Sequence, residues 1–531
     1  MTNLPAGVSE AEMENALNDI RKALGAEAVL TGSAMDEYVD PYEPISWGGQ
    51  RNAAAVFPTT TAQVQSIVKT ANAYKIPLWV GSQNRNNGYG GAGTIVPGSI
   101  IISLRNMNKV LEINDELGYV VVEPGVSYNE LYVEIQKQGK KVMMDPPDIG
   151  WGSLIGNAAD HGYGYTKYGD HARAVCGLEV VLPDGEVIRT GMGALPTGDS
   201  SWHTYPKGYG PDAEQMFMQS NYGIITQAGF WVMPTPDRYL NGLIRIERDE
   251  DLPLVMEALR PLMLDGTIPN IPSCFSGAGV LTLIGKRKDF WQGEGPIPQE
   301  IIEGVRQQTG IGSWMMRFAL YGRDAQIDES FAHIQKTLET IPGVNVIGQK
   351  YDGDTLDTAE LDQSGHVQGG IPDMSMLSAV QFVGENGGHV GFSSVIPLTG
   401  RDTEAVIKLV RAACVEYGID YTATFMVGPR YAVHVFLSFI DRDDDEHTRR
   451  VYEMCRATVQ KAAALGYGEY RAHTSTMDVV SGAYNWNDNA LNKFNEKIKD
   501  ALDPNSILMP GRSGIWGQNF RDVNIAQPWS E

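Results

Sequence analysis

The stretch Pro77-Leu-Trp-Val80-Gly-Ser-Gln-Asn-Arg85-Asn-Asn-Gly88-Tyr-Gly-Gly-Ala-Gly93-Thr-Ile-Val-Pro97-Gly-Ser-Ile100-Ile-Ile-Ser103 decides how the chain is read. Pro77 to Val80 predicts a strand, and Gly88 to Gly93 matches G-x-G-x-x-G in form. A dinucleotide fingerprint needs a helix directly after its glycines, whereas Pro97-Gly98 breaks any helix and Ile100 to Ser103 resumes a strand. The Rossmann reading is therefore rejected. A run of small and amide residues is still suited to wrapping a pyrophosphate with successive backbone N–H groups, helped by Arg85. A glycine-rich surface turn is the alternative on these residues alone.

Outward from this loop, local signals alternate helix with strand. Ser9 with Glu12 forms a capping box opening a helix to about Leu24, and Thr61 to Tyr74 reads as a second helix with apolar Val64, Ile67 and Val68. Tyr119 to Glu123 predicts a buried strand, Pro124-Gly125 ends it, and Ser127-x-x-Glu130 caps the next helix. Leu178 to Arg189 predicts a hairpin turning at Asp184-Gly185, so the first half is mixed rather than purely parallel. Character changes near Thr235-Pro236. Helical stretches such as Leu252 to Leu264 and Thr403 to Tyr417 then alternate with strands such as Tyr431 to Phe439, which places a second domain there. After about Glu469 the sequence returns to a loop-rich, glycine-bearing character, so the second domain reads as inserted and the C-terminus as folding back on the first.

Composition bounds the partners. The 531 residues make two domains the natural expectation, and 42% hydrophobic with 20% charged residues is globular. Forty-two basic against 65 acidic residues give a net charge of −23, which repels phosphodiester backbones and anionic lipid. Neither nucleic acid nor membrane is expected. Cys176, Cys274, Cys414 and Cys455 lie far apart with no CxxC, favouring a reducing compartment. With a polar, acidic start from Met1 to Asp19 and no long apolar run, the expectation is a soluble cytoplasmic protein.

Five further features bear on chemistry. His389, in Asn386-Gly-Gly-His-Val-Gly-Phe-Ser, reads by itself as a core histidine at the start of a strand. His161, His171, His434 and His473 have no familiar ligand spacing, so no metal is expected. The run Asp441-Arg-Asp-Asp-Asp-Glu446 reads as a solvated loop. Asp145-Pro-Pro-Asp148-Ile-Gly-Trp-Gly-Ser153 sets a carboxylate beside an aromatic, or simply a turn capped by Asp148. Tyr470-Arg471 is a surface ion-pairing dipeptide or, with a second tyrosine, an anion site whose donors share one phenolate or carboxylate oxygen.

Taken together, Asn87-Gly-Tyr-Gly-Gly91, Pro147-Asp-Ile-Gly150, Gly164-Tyr-Thr-Lys-Tyr-Gly-Asp-His171, Leu178-Glu-Val-Val-Leu182, Arg189-Thr-Gly-Met-Gly-Ala-Leu-Pro196, Asn386-Gly-Gly-His389, Gly468-Glu-Tyr-Arg471 and Pro510-Gly-Arg-Ser-Gly-Ile-Trp516 resemble the vanillyl-alcohol oxidase family over nearly the whole chain. The nearest likeness is to its bacterial eugenol oxidase and 4-alkylphenol oxidase members. The resemblance implies an α+β, two-domain FAD-binding fold of the p-cresol methylhydroxylase type. Residues 1–236 and 469–531 would form the FAD-binding domain and residues 237–468 an inserted α/β cap.

The same resemblance assigns roles. His389 would tether FAD covalently at the flavin C8-methyl. Gly81, Ser82, Gln83, Asn84, Arg85, Asn86, Asn87, Gly88, Pro147, Gly152, Ser153, Asn157, Tyr168, Gly169, Gly223, Ile225 and Arg512 would contact the cofactor. Tyr89, Tyr470 and Arg471 match the trio that binds a substrate phenolate oxygen, and Asp148 the acidic residue beside flavin N5. Tyr163, Phe392, Thr424, Met426 and Pro429 would line the substrate pocket. Implied chemistry is hydride transfer from the benzylic carbon of a para-substituted phenol, through a para-quinone methide, with O2 reduced to H2O2 by a homodimer. A dehydrogenase passing electrons to a cytochrome, and a non-catalytic flavin-binding protein, are the rival readings. The sequence departs from relatives at Gly162-Tyr163-Gly164, where they carry valine, and at Pro429-Arg-Tyr-Ala-Val-His434.

Overall fold

The computed structural model describes residues 3–47 and 51–523. The outermost residues of the expected domain ranges, 1–2 and 524–531, lie outside the described residues. Local signals set the first elements. Ser9 accepts from the Glu12 amide and Glu12 answers to the Ser9 amide, closing the capping box of helix Glu10–Leu24. This helix packs beside Thr61–Tyr74, whose Val64, Ile67 and Val68 are buried. Together they cover a four-stranded sheet in which Ala54–Val56, Ile100–Ser103 and Leu78–Gly81 run parallel and Val29–Leu30 is antiparallel. The strand Leu78–Gly81 reaches its parallel neighbour Ile100–Ser103 through the glycine-rich loop, with no helix between them. That topology agrees with the rejection of a Rossmann unit.

A second, five-stranded antiparallel sheet holds Tyr119–Val122, Ile224–Trp231 and the hairpin Val175–Val181 with Val187–Arg189. Gly185 occupies the turn at φ +86°, a conformation that favours glycine. The first half is thus mixed, as expected, but divided between two sheets.

The third sheet has seven strands, all drawn from Arg238 to Asp441: in order Val344–Asp352, Arg238–Ile246, Trp314–Gly322, Ser273–Ser276, Ala423–Val427, Tyr431–Asp441 and Gly387–Pro397. Every pair is antiparallel, so side chains directly opposite one another share a face. One face carries Met316, Phe318, Cys274, Phe425, Phe436, Val390 and Phe392 into a core shared with helices Leu252–Leu264, Gly400–Tyr417 and Asp445–Ala463. Each large apolar side chain buried there contributes roughly 1.5–3 kcal/mol. The opposite face carries Arg317, Phe275, Thr424, Met426, Val435, Leu437, Phe439 and His389.

Two expectations need correction. The acidic run does more than face solvent: Asp444 accepts from the His447 amide and caps the 19-residue helix Asp445–Ala463, where acidic residues suit the positive N-terminal dipole. The C-terminal segment is not simply loop-rich, because it carries a helix over Trp486–Leu502. The sequence carries a signal for it in Leu491, Phe494, Ile498 and Leu502 at helical spacing: Ile498 and Leu502 pack against the core beneath the five-stranded sheet, while the buried Lys499 donates to Asp503, the Asn221 carbonyl and the Leu508 carbonyl. The segment does fold back on the first half. The Leu78 amide donates to Ile507 O and the Met509 amide to Leu78 O, while Asn221 Nδ2 reaches the carbonyls of Met509 and Ile515. All four cysteines are buried and free, and no described helix is long and apolar enough to cross a membrane.

Candidate active site

A cavity of about 460 Å³ runs between the glycine-rich loop, the segment Pro147–Asp160 and the inner face of the seven-stranded sheet. It collects most of the residues singled out from sequence: residues 81–87, Tyr89, Pro147, Asp148, Gly152, Ser153, Asn157, Tyr163, Gly223, Ile225, His389, Thr424, Met426, Tyr470, Arg471 and Arg512. Gly88 stands behind the wall rather than in it. A Cβ there, at φ +78°, would lie 2.2 Å from His389 Cε1, so only glycine lets the imidazole occupy its place.

Four expected contacts fall elsewhere. Phe392 lies three residues from His389 on one strand, and an odd step reverses the face, so Phe392 is buried in the helix-packed core. Pro429 lies in the turn joining Ala423–Val427 to Tyr431–Asp441, beyond the paired residues that line the cavity. Tyr168 packs against the Met143 and Met233 cluster, and Gly169 closes a tight loop by accepting from the Gly164 amide.

At one end, Arg471 and two tyrosines converge. The Arg471 guanidinium stacks 4.0 Å from the centroid of the Tyr89 ring, and its Nη2 donates to Asn86 Oδ1 at 2.6 Å. Arg471 Nε is buried with no hydrogen-bond partner. Burial, then repulsion from Tyr89, raises the Tyr470 hydroxyl pKa, against a smaller lowering by Arg471, so Tyr470 stands as a neutral donor. Asp160 holds this end together. It accepts from Asn86 Nδ2 at 2.7 Å and from Arg512, and lies 3.7 Å from Arg471. Burial lowers the Arg512 pKa to about 10.

Asp148 proves to be more than a turn cap. Its Oδ1 accepts from Arg317 Nη2 at 2.6 Å and from Gln363 Nε2 at 2.9 Å, while Oδ2 accepts from the Tyr165 hydroxyl. Arg317 is 2% exposed and lies 3.9 Å over the Tyr165 ring. Sequence reading missed Arg317, Gln363, Tyr165 and Asp160. A signal for Arg317 existed: it is the only charge in the apolar run Trp314-Met-Met-Arg-Phe-Ala-Leu, and a charge buried in a strand requires a partner.

His389 faces the cavity from the start of its strand, between the rings of Tyr42 at 5.2 Å and Phe439 at 6.4 Å. Burial, then the neighbouring His473 and Arg471, push its pKa down to about 4, so the ring is neutral at physiological pH. Its Nδ1 is buried without a partner. The other histidines hold separate contacts: His473 with Asp40, His434 with Tyr421, His171 with Tyr128. Among the described residues no three candidate ligands group into a metal site.

These walls fit FAD. Among the described residues, none of the amides of residues 82–88 donates to a protein acceptor, which leaves a row of N–H groups for a diphosphate. Both side-chain polar atoms of Asn84 are likewise buried and unpartnered, at a backbone φ of +55°. Such groups are costly to leave unmet in a folded protein.

Comparison with known proteins places the chain among FAD-dependent flavoproteins: residues 52–191 match the FAD binding domain and residues 376–513 the C-terminal domain of FAD linked oxidases. Over 522 residues, 96% of this chain and 97% of the relative, it is 36% identical to the 4-cresol dehydrogenase [hydroxylating] flavoprotein subunit of Pseudomonas putida. The structure superimposes on 4-ethylphenol oxidase from Gulosibacter chungangensis, solved with isoeugenol, with a TM-score of 0.92 and 36% identity over 98% of this chain and all of that one. p-Cresol methylhydroxylase with substrate bound gives 0.92 and 33% over 97% and 99%. The chain belongs to the vanillyl-alcohol oxidase/p-cresol methylhydroxylase family of flavoproteins, with its two-domain FAD-binding fold.

Proposed function

We propose that the protein oxidises para-substituted phenols (4-alkylphenols, 4-allylphenols or 4-hydroxybenzylic alcohols) with FAD tethered through His389 and O2 as electron acceptor. The observation that carries this reading is the convergence of Tyr89, Tyr470 and Arg471 on one end of the cavity whose wall also includes the buttressed carboxylate of Asp148. Residues 1–236 with 469–531 serve the cofactor and residues 237–468 cap it. Membership of the seven-stranded sheet and the return of the tail to Leu78 support that division. We take the assembly as a homodimer, the commonest symmetric oligomer, and the location as cytoplasmic, consistent with four free cysteines.

The bound flavin supplies the acceptor for hydride from the benzylic carbon and the site at which O2 becomes H2O2. The chain's own residues prepare the substrate. Tyr89, Tyr470 and Arg471 bind the phenol oxygen and favour its ionised form, because three donors share one anion in a water-poor cavity. The phenolate then pushes electron density toward the para carbon, and a para-quinone methide remains once hydride has left. Asp148, aimed by Arg317, Gln363 and Tyr165, offsets positive charge at the benzylic carbon and accepts a proton from attacking water. The neutral, unpartnered ring nitrogen of His389 supports the tether, since a protonated imidazole has no lone pair to form that bond.

The second reading, a dehydrogenase serving a cytochrome, is favoured by the likeness to the Pseudomonas putida flavoprotein subunit. Addition of 4-ethylphenol under nitrogen should bleach the flavin, and air should restore it with release of peroxide. Bleaching restored only by a cytochrome or dye would give the dehydrogenase, and no bleaching by any para-alkylphenol would remove both readings.

A further inference from the structure

Two of the stretches singled out in the sequence, Gly162-Tyr163-Gly164 and Pro429-Arg-Tyr-Ala-Val-His434, meet in space. Tyr163, from the first, and Tyr431, from the second, join hydroxyl to hydroxyl at 2.7 Å although 268 residues separate them. Each belongs to a different element, Tyr163 to the loop after helix Leu154–Ala159 and Tyr431 to the strand Tyr431–Asp441. The Tyr163 loop is pinned by a bridge to Asp170 and by the Gly164 amide on Gly169 O, while Tyr431 opens the strand Tyr431–Asp441 with its carbonyl held by the Gly428 amide. Gly428 has no room for a Cβ, which would lie 2.6 Å from the Tyr431 ring, so the turn and the ring fix one another.

The Tyr163 ring packs edge-on against Tyr470 at 5.8 Å, within the apolar cluster of Ile271, Met426 and Val433. Tyr163 lines the cavity, and Tyr431 stands behind it. Both hydroxyls have raised pKa values through burial and stay neutral, so the bond between them is an ordinary donor–acceptor pair.

We infer that Tyr163, clamped by Tyr431, is a specificity wall beside the phenol oxygen that excludes phenols substituted on both carbons flanking the hydroxyl. The inference rests on the functional reading above, which sets the phenol oxygen at Tyr470. A substituent on a flanking carbon lies beside that oxygen and therefore beside the wall that contacts Tyr470. A ring with one such group turns over about its long axis and presents its bare edge to Tyr163. A ring with two cannot. Without the Tyr431 hydroxyl, Tyr163 loses the contact that holds its outer end and can swing aside. Tyr431 is thus a positioning residue for Tyr163.

The experiment compares flavin reduction under nitrogen by 4-ethylphenol, 4-ethyl-2-methoxyphenol and 4-ethyl-2,6-dimethoxyphenol in the wild type, Tyr163→Val, Tyr163→Phe and Tyr431→Phe. The wild type should reduce with the first two at rates within about tenfold and reject the third by about 100-fold or more. Tyr163→Val should narrow that rejection at least about tenfold. Tyr163→Phe and Tyr431→Phe should each narrow it about threefold, and the double phenylalanine variant no further than either, since all remove one and the same hydrogen bond. Selectivity ratios are insensitive to general loss of folded enzyme, so a merely structural role would leave them fixed. Ready wild-type use of the dimethoxyphenol, or ratios unchanged within about twofold in both Tyr163→Val and Tyr431→Phe, overturns the inference. Failure of 4-ethylphenol itself to reduce the wild-type flavin overturns the functional reading, and the wall with it.

Discussion

Arg317 Nη2 lies 2.6 Å from Asp148 Oδ1, and this ion pair ties a middle strand of the seven-stranded sheet to the loop that follows strand Val142–Met143. A carboxylate so placed is at once a chemical group and the partner of an otherwise buried cation. Its two roles can be separated by substitution.

Asp148→Ala leaves Arg317 buried without a charge partner and should destabilise the fold by about 3–5 kcal/mol. Asp148→Asn keeps an acceptor for Arg317 and Gln363 and should be much closer to wild type in melting temperature. Both variants should reduce their flavin more slowly with a para-alkylphenol. Equal melting temperatures for alanine and wild type would show the pair to be energetically idle, and an unchanged reduction rate in Asp148→Asn would leave the residue a structural partner of Arg317 only.

His389→Ala should release its flavin on acid denaturation, where the wild type keeps a fluorescent adduct, and should be reduced more slowly. The folded imidazole, at about 4 against 6.5 in the unfolded chain, resists protonation. Its contribution to stability is therefore complete above pH 6.5 and is lost as pH falls through about 4. Attachment of added FAD to flavin-free protein should likewise hold steady across neutral pH and fail only near that lower value. Loss of attachment already at pH 7, or flavin still attached in His389→Ala, would move the tether elsewhere.

On the proposed function, Arg471 sets the charge where the phenol oxygen binds. A phenol with pKa near 10, bound ionised at pH 7, needs a lowering of roughly 2–3 units, or about 3–4 kcal/mol. Hydrogen bonds to a charged group supply roughly 1.5–3 kcal/mol each, so the trio acting together covers that requirement with a margin for its own desolvation. Ultraviolet titration of a bound, unreactive phenol should show ionisation well below its solution value in the wild type and nearer to it in Arg471→Ala. Identical titrations would make Tyr470-Arg471 a structural dipeptide.

Glu469 precedes that pair and is buried; its carboxylate accepts the Ser393 amide, and burial pushes its pKa up to about 8. A raised carboxyl stabilises fully below its unfolded value of 4.5 and loses that contribution as pH rises through about 8. Glu469→Gln keeps the acceptor and escapes the loss. It should raise the melting temperature more at pH 8 than at pH 5, with a free-energy gain on the order of 4 kcal/mol at the upper end. A gain independent of pH would show that the carboxyl is already ionised in the fold.

The sequence by itself determined what short-range chemistry controls. Ser9-x-x-Glu12 and Ser127-x-x-Glu130 close their capping boxes, Asp184-Gly185 turns its hairpin, and Pro97-Gly98 keeps a helix from following the glycine loop. Each of these acts over a few residues, where backbone sterics and hydrogen bonds suffice. The recurring motifs likewise brought Tyr89, Asp148, His389, Tyr470 and Arg471 to one cavity. Only the tertiary structure decided which groups complete them. Arg317 reaches Asp148 across 169 residues and Tyr431 reaches Tyr163 across 268, because strand order and register, not neighbouring sequence, determine which side chains meet. Strand parity turned Phe392 away from His389, and the helix Trp486–Leu502 is anchored by Lys499 to carbonyls it meets only after the chain has folded back. Long-range pairing is where the burial of charge and the closure of a cavity are settled, since both depend on atoms that no local window contains.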